Sequence, residues 1–571
     1  MAESAGPAHP ARRNWFQNAV AVLGHRKTAT MFGFGFSSGL PYALLVGTMN
    51  AWFGEANVDL ATIGVLSWIG LAYAFKFLWS PAVNAPAPFP FGQLGRRRGW
   101  IFLCQCVIAV SIFVISTLDP QTGLGLMALA AAVAAFASAT QDMSIDAWRI
   151  EVADTAAPID LLSAVYQFGY RIAAFVGGAG ALFLADLTNW NVTFATASVV
   201  MAMAFVAALA APEPERAPVA AKDVKAVTPE DASLRFVSVT AVIGAWGWAA
   251  FELTWMMVAS VTTTPPPDVK AFTGTYGPLI VVATVIFPCV LAAWIANRER
   301  WPIPLPQLSV PTGALAMTNR LYGAIVEPFV ELMSRLKWTA VLFLILVLSY
   351  RLTDAIWGPF AYPFYMGELG YSKSEVAFAS KTFGVFVLIV GILLSAWSLL
   401  RLGRMISLMI GAVSAAATNL LYADLANGSP YIDAFLHGTG ISWLAKVTGA
   451  GLYDFLQTVG LGAISTTVAL DDRMLRLLVA IAGENIAAGY AGAVFVAYMS
   501  SMASRLHGAV QFAVFSSLTM LIGTLGRGAL GDMIKTDGYA SVFFFTMWLG
   551  GIAVVACAIE WIRQARSGGS R

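Results

Sequence analysis

Asp142 and Asp146 stand four residues apart in FASATQDMSIDAWRIE (136–151), directly after the apolar run GLGLMALAAAVAA and just before Arg149 and Glu151. Residues four apart share a helix face, so two carboxylates point the same way at one end of a segment otherwise suited to hydrocarbon. An ionisable group inside a span costs at least about 2.5–3.5 kcal/mol at mid-helix and therefore faces a bundle interior or a water-filled cavity. Carboxylates kept in such a place bind and release a proton, or hold the charge of a ligand. Asp142 is deeper by one turn and is the stronger candidate. Asp146 is read either as solvated beside Arg149 or as part of a gate at that membrane face.

Other polar groups interrupt apolar segments in the same way. YQFGYRIAAF carries Tyr170 and Arg171, and Arg171 is expected to neutralise Asp142 from the adjacent helix. SYRLTDAIWGPF sets Arg351 and Asp354 three apart, a spacing that allows a local pair. Lys381 follows in KTFGVF, and IAGENIAAGYAG puts Glu484 and Asn485 near mid-span. The candidate proton-coupling acids are thus Asp142, Asp146, Asp354 and Glu484. The candidate ligand-holding residues are Tyr42, Tyr73, Lys76, Gln141, Tyr170, Arg171, Arg351, Lys381, Asn485 and Gln511: rings can stack on sugars, and cations or amides can hold carboxylates. Blander roles compete, since Trp and Tyr also line membrane interfaces and Lys76 can snorkel to the surface.

Elements long enough to position these groups recur along the chain. Of 571 residues, 58% are hydrophobic and 12% charged, against roughly a quarter charged in a soluble domain. About 20 apolar residues cross the hydrocarbon core, and such runs predict an all-α polytopic membrane protein with about fourteen helices. Residues 1–27 read as a basic cytoplasmic tail without a cleavable signal. Six helices are expected over 28–211. A central region, 212–337, holds two extra transmembrane helices between polar or proline-containing linkers. Six more helices are expected over 338–571, with a periplasmic interfacial insertion near 431–470 and a basic tail.

Arg96, Arg97, Arg98, Arg298, Arg335, Arg401, Arg404 and Arg563 fall in loops on one side, and Glu55, Asp119, Asp424, Asp433 and Asp471 on the other. That asymmetry predicts both termini in the cytoplasm. A net charge of +2 without a basic stripe gives no reason to expect nucleic acid as a partner. The four cysteines all lie in apolar runs, and no His cluster, metal spacing or nucleophile motif appears. An enzyme, a metal site and a cofactor are therefore not expected, and the lipid bilayer is the one partner that composition itself demands.

NVDLATIGVLSWIG and GYSKSEVAFASKTFG open matching helices of the two parts, and weak symmetry between six-helix halves is the pattern of major facilitator transporters. GFSSGLPYALLVGTMNAW (35–52), IGLAYAFKFLWSP (69–81), GRRRGW (95–100), SATQDMSIDAWR (138–149), GYRIAAFVGGAGALFLAD (169–186), APEP (211–214), YRLTDA (350–355), KTFG (381–384), GEN (483–485) and QFAVFSSL (511–518) together resemble the AmpG muropeptide permeases. The resemblance implies a major facilitator fold of two six-helix bundles, here with two extra central helices. It implies a monomeric, proton-driven importer of anhydro-muropeptides in the bacterial inner membrane, serving cell-wall recycling and influencing β-lactamase induction. Acetyl-coenzyme A transporters resemble the same family and supply an alternative cargo; a non-transporting sensor of cell-wall fragments is a further alternative. Asn84 stands where such transporters carry an aspartate before the basic turn, which leaves that turn without its usual acid partner.

Overall fold

The computed structural model describes residues 25–56, 73, 75–214, 229–263, 267, 269–298, 312–353, 360–361, 363–372, 375–376, 378–443, 471–504 and 506–566. Every regular element among them is helical. Among the described residues, ten helices are long and apolar enough to cross a membrane, or eleven if one sharply bent pair is a single span. The all-α multi-pass architecture is as expected. A count of fourteen is not established, because residues 57–72, between α1 and α2, lie outside the described set and α9, below, is short.

In the first part, α1 runs over 26–55 with a wide turn at Leu44–Thr48. It is followed by α2 (Arg96–Ser116), α3 (Pro120–Val152), α4 (Ile159–Leu187) and α5 (Trp190–Ala210). The central pair is α6 (Pro229–Thr262) and α7 (269–296). Then come α8 (312–336), α9 (Thr339–Ser349), α10 (Phe378–Arg401), α11 (Arg404–Ala426), α12 (Asp472–Met502) and α13 (Gly508–Arg566), which breaks where Gly538 takes a φ of +77°.

The helices that carry the candidate acids begin alike. Asp119 accepts the Gln121 N–H at 2.8 Å, with Pro120 in the first turn of α3, and Asp471 accepts the Met474 N–H at 2.7 Å to start α12. Such caps satisfy backbone donors that have no partner inside the helix. Close packing then fixes the faces. A Cβ on Gly35 or Gly39 of α1 would stand 2.2 or 2.3 Å from the carbonyl oxygen of Tyr166 or Tyr170 of α4. On α12, a Cβ on Gly489 would stand 2.2 Å from the Leu388 oxygen of α10. Small residues allow this backbone approach in membranes, and in the first half they press the tyrosine face of α4 onto the serines of α1.

The halves meet at the end that carries Arg96–Arg98 and Arg404, called here the basic end. There Ile150 of α3 lies against Gly508 of α13, and from there α4 packs along α10 and α12 as far as the Phe175 and Phe386 rings, 5.7 Å apart. Arg404 makes two hydrogen bonds to Asp160, at 2.9 and 3.1 Å, tying the start of α11 to the first turn of α4.

One linker expectation is corrected. Much of 297–337 is the helix α8, bent by 109° from α9. Ile325, Val326, Phe329 and Leu332 recur at helical spacing and are buried, and Pro328 follows a wide turn at Tyr322–Val326, in the first turn of the stretch Glu327–Leu336, where its missing N–H is tolerated. Reading that stretch for its prolines and polarity hides this periodicity. Of the segment 431–470, the described part is a short helix, Pro430–Gly438, and the turn after it; residues 444–470 lie outside the described set.

Candidate functional site

Asp142 sits on α3, 8% exposed, within electrostatic reach of Tyr73, Tyr166 and Tyr170. Tyr166 and Tyr170 are one turn apart on α4, with ring centroids 6.2 Å apart. Tyr42 of α1 meets the Tyr73 ring edge-on at 5.2 Å and the Tyr170 ring at 6.5 Å. The structure therefore brings Tyr42, Tyr73, Tyr170 and Asp142 together. Gln141 lies beside them, its amide donating to Ser37 at 2.9 Å. Tyr166 belongs to the same group, and its spacing from Tyr170 was the signal that could have found it.

One turn nearer the basic end, Asp146 is held between two cations. Lys76 Nζ is 3.8 Å from Asp146 Oδ2, and Arg149 Nη2 donates to Asp146 Oδ1 at 2.9 Å. Asp146 is 4% exposed, so it is not solvated; Lys76, at 6%, does not snorkel to the surface. Both points correct the blander readings. Arg149 is wholly buried and also donates to Ser500 of α12 at 3.0 Å, while its guanidinium lies 5.0 Å from the ring centres of Tyr166 and Phe512. One side chain of the first half thereby holds two helices of the second. Two acids and two bases balance in this cluster, which matters because each unpaired buried charge costs several kcal/mol.

The expected pair between Asp142 and Arg171 is not found among the described residues. Neighbouring residues on a helix are rotated by about 100°, and Tyr166 and Tyr170 occupy the α4 face toward Asp142. Arg171 is turned off that face, with its guanidinium 5.8 Å from the Tyr170 ring. The first cation acting on Asp142 is Lys76.

The second half has its own buried acid. Tyr422 of α11 donates to Glu484 Oε2, and the Tyr422 and Tyr365 hydroxyls are 3.0 Å apart. Phe364, Tyr539 and Phe543 pack around these rings. Asn485 donates to the Ile481 carbonyl of its own helix at 2.9 Å and lies against Gly384. Arg351 abuts α12, where a Cβ on Gly492 would come within 2.8 Å of its Nη1. Asp354 lies outside the described residues, as does the side chain of Lys381. Gln511 does not join either cluster: its amide donates to Pro328 O and Glu331 of α8, at 2.8 and 2.7 Å, and accepts the Ser504 N–H.

A third cluster was missed in the sequence. Arg97, wholly buried, donates to Glu151 at 2.7 Å, Asn84 Oδ1 at 3.1 Å and Val83 O at 2.8 Å. Glu213 accepts the N–H groups of Arg97 and Arg98 at 2.9 and 3.1 Å, capping α2 after Gly95, whose φ is +118°. The acid lacking at Asn84 is thus supplied by Glu151 from α3, two residues beyond Arg149.

The backbone as a whole is similar to the solved structure of the major facilitator superfamily proton:xylose symporter XylE, with a TM-score of 0.52 and 12% identity, covering 95% of this chain and 96% of that one. The chain has the major facilitator fold. By sequence it is 27% identical over 528 residues to the anhydromuropeptide permease of Escherichia coli K12, covering 92% of this chain and 78% of the relative. It is 24% identical over 525 residues to the putative transporter AmpG 4 of Rickettsia conorii, covering 91% and 92%. A family profile, acetyl-coenzyme A transporter 1, matches residues 34–124. The resemblance to AmpG-type permeases therefore extends over nearly the whole chain, and these likenesses are to transporters rather than enzymes. Within the major facilitator frame α3 and α12 are counterparts, each followed by the last two helical stretches of its half.

Proposed function

We propose that this protein imports anhydro-muropeptides, the disaccharide-peptide fragments of peptidoglycan, across the bacterial inner membrane, driven by the proton gradient. The observation that carries this reading is the 27% identity over 92% of the chain with a relative named for that cargo. The buried clusters suit it chemically. Tyr42, Tyr73 and Tyr170 offer aromatic faces for sugar rings, Arg171, Arg351 and Lys381 offer cations for peptide carboxylates, and Asp142 or Glu484 offers a site for the driving proton.

With both termini in the cytoplasm, the basic end is the cytoplasmic face. The Arg149–Ser500 and Arg404–Asp160 contacts then belong to a conformation closed on that side, and import by alternating access requires both to part. The carrier works as a monomer, and no cofactor is needed beyond the proton gradient. Uptake of labelled anhydro-muropeptide by proteoliposomes under an inward proton gradient tests the reading; uptake no greater than in empty vesicles overturns it. The match of residues 34–124 to an acetyl-coenzyme A transporter profile favours one second reading, a nucleotide-bearing cargo. Competition separates the two, since excess acetyl-coenzyme A should leave muropeptide uptake unchanged.

A further inference from the structure

The charged side chains of the first-half cluster form an ordered series that ends in the opposite half. Asp142 stands at one end, one turn from Asp146 on the same helix face and within electrostatic reach of Lys76; Lys76 reaches Asp146 at 3.8 Å; Asp146 accepts from Arg149 at 2.9 Å; and Arg149 reaches Ser500 at 3.0 Å. The separation of 3.8 Å is long for an ion pair with direct hydrogen bonding. Lys76 is thus near both acids without a tight hydrogen bond to either. Arg149, by contrast, is committed to Asp146 at hydrogen-bonding distance.

The groups facing Asp142 from the surrounding elements are few. Tyr73 and Lys76 come from the 73–78 stretch, Cys104 from α2, and Tyr166 and Tyr170 from α4; on its own helix are Asp146 and Arg149. Lys76 is the one ammonium among them. Asp142 Oδ1, Gln141 Oε1 and Arg149 Nε and Nη1 are buried without a partner in hydrogen-bonding geometry among the described residues.

We propose that Asp142 is the trigger of the gate at the basic end: a proton on Asp142 releases Lys76 onto Asp146, which loosens Arg149 and with it the contact to Ser500. While Asp142 is ionised it holds part of the attraction of Lys76, and Asp146 is left for Arg149. When Asp142 is neutral, Lys76 has one carboxylate to satisfy and competes with Arg149 for it. The proton stays on Asp142, and its effect reaches the seam between halves through Lys76, Asp146 and Arg149. This rests on the proton-driven reading above but not on the identity of the cargo.

The cleft of about 570 Å³ just outside Arg149 supplies the readout, because Thr155 lines it from the first half and Ser501 from the second. Spin labels on Thr155→Cys and Ser501→Cys, in the full chain reconstituted in lipid with its four native cysteines replaced, report the separation of the halves without any cargo. The expected result is a separation that lengthens as the pH falls, a dependence abolished in Asp142→Asn, and a Ser500→Ala variant shifted toward the longer distance at every pH. Retained pH dependence in Asp142→Asn, or loss of it in Glu484→Gln instead, overturns the proposal, as does a wild-type separation that ignores pH. If the labels move as expected while muropeptide is not transported, the cargo reading fails and the trigger stands. If muropeptide is accumulated under a proton gradient but the labels show no pH response, the reverse holds.

Discussion

Asp142 lies 23 residues beyond the cap of α3, whereas Glu484 lies 13 residues beyond the cap of α12, its counterpart in the other half. At 1.5 Å per residue this places the two acids about 15 Å apart in depth along their helices. Their surroundings differ accordingly. The first-half acid neighbours a balanced set of buried charges that ends at the seam between halves. The second-half acid accepts from a tyrosine hydroxyl, within an aromatic cluster whose described members belong to its own half. Matching helices thus differ: one links its buried charges to the interface through Arg149, and the other sets its acid against a tyrosine hydroxyl.

The comparison breaks most plainly at Arg149. Arg149→Ala leaves Asp146 buried with only the distant Lys76, and removing one partner of a buried pair costs about 3–5 kcal/mol. Thermal unfolding in detergent should show a loss of that order, together with loss of uptake. A smaller loss would mean that the charge cluster matters less to the fold than its burial implies. Tyr422→Phe is the corresponding test of the second half. It keeps the ring packing and deletes the hydroxyl that meets both Glu484 and Tyr365, and leaving a buried partner unsatisfied costs about 1–3 kcal/mol. Stability should fall within that range, while the spacing of the halves at the basic end stays as in the wild type. Movement there would tie Glu484 to the seam and erase the distinction.

Much of this arrangement could be read from the chain. Apolar periods gave most of the described helices, and charges set against hydrocarbon pointed to Asp142, Asp146, Arg351 and Glu484. What escaped was direction. Arg171 was paired with Asp142 because both lie deep in adjacent helices, yet a one-residue step from Tyr170 turns it off the shared face. Long-range partners escaped as well: Ser500, Tyr422 and Glu213 carry no charge pattern that marks them, and only packing brings them to Arg149, Glu484 and Arg97. The prolines and polar residues of 297–337 hide the apolar stripe of α8, which α6 and α7 cover.

Gln511 gives the next step down in size. Its amide joins the turn before α13 to α8 by two donated bonds, so Gln511→Ala leaves Pro328 O and Glu331 without that donor. The expected cost is about 1–2 kcal/mol, read as faster hydrogen exchange over 502–511. Asp142 and Glu484 should be touched equally little. A change in the pH response of the gate would show that α8 takes part in the coupling of the first half alone.

The smallest effect belongs to Asp154, at the same end as Arg149 but in the loop between α3 and α4. Its hydrogen bond from Lys27, helped by the N–H of Ala157, holds its carboxyl below the ordinary aspartate value of 3.8. A carboxylate lowered in the folded state contributes stability that is present above its unfolded value and is lost as the pH falls through the folded one. The tie of α1 to this loop is therefore intact at neutral pH and fades only under strongly acidic conditions. Asp154 is 44% exposed and Lys27 21%, so water screens the pair and its contribution is small. Asp154→Asn should remove the acid-side weakening of protection in residues 153–158 and leave uptake near the wild-type level. If it abolished uptake as Arg149→Ala does, then sign of charge at the basic end, rather than burial at the seam, would be what holds the halves together.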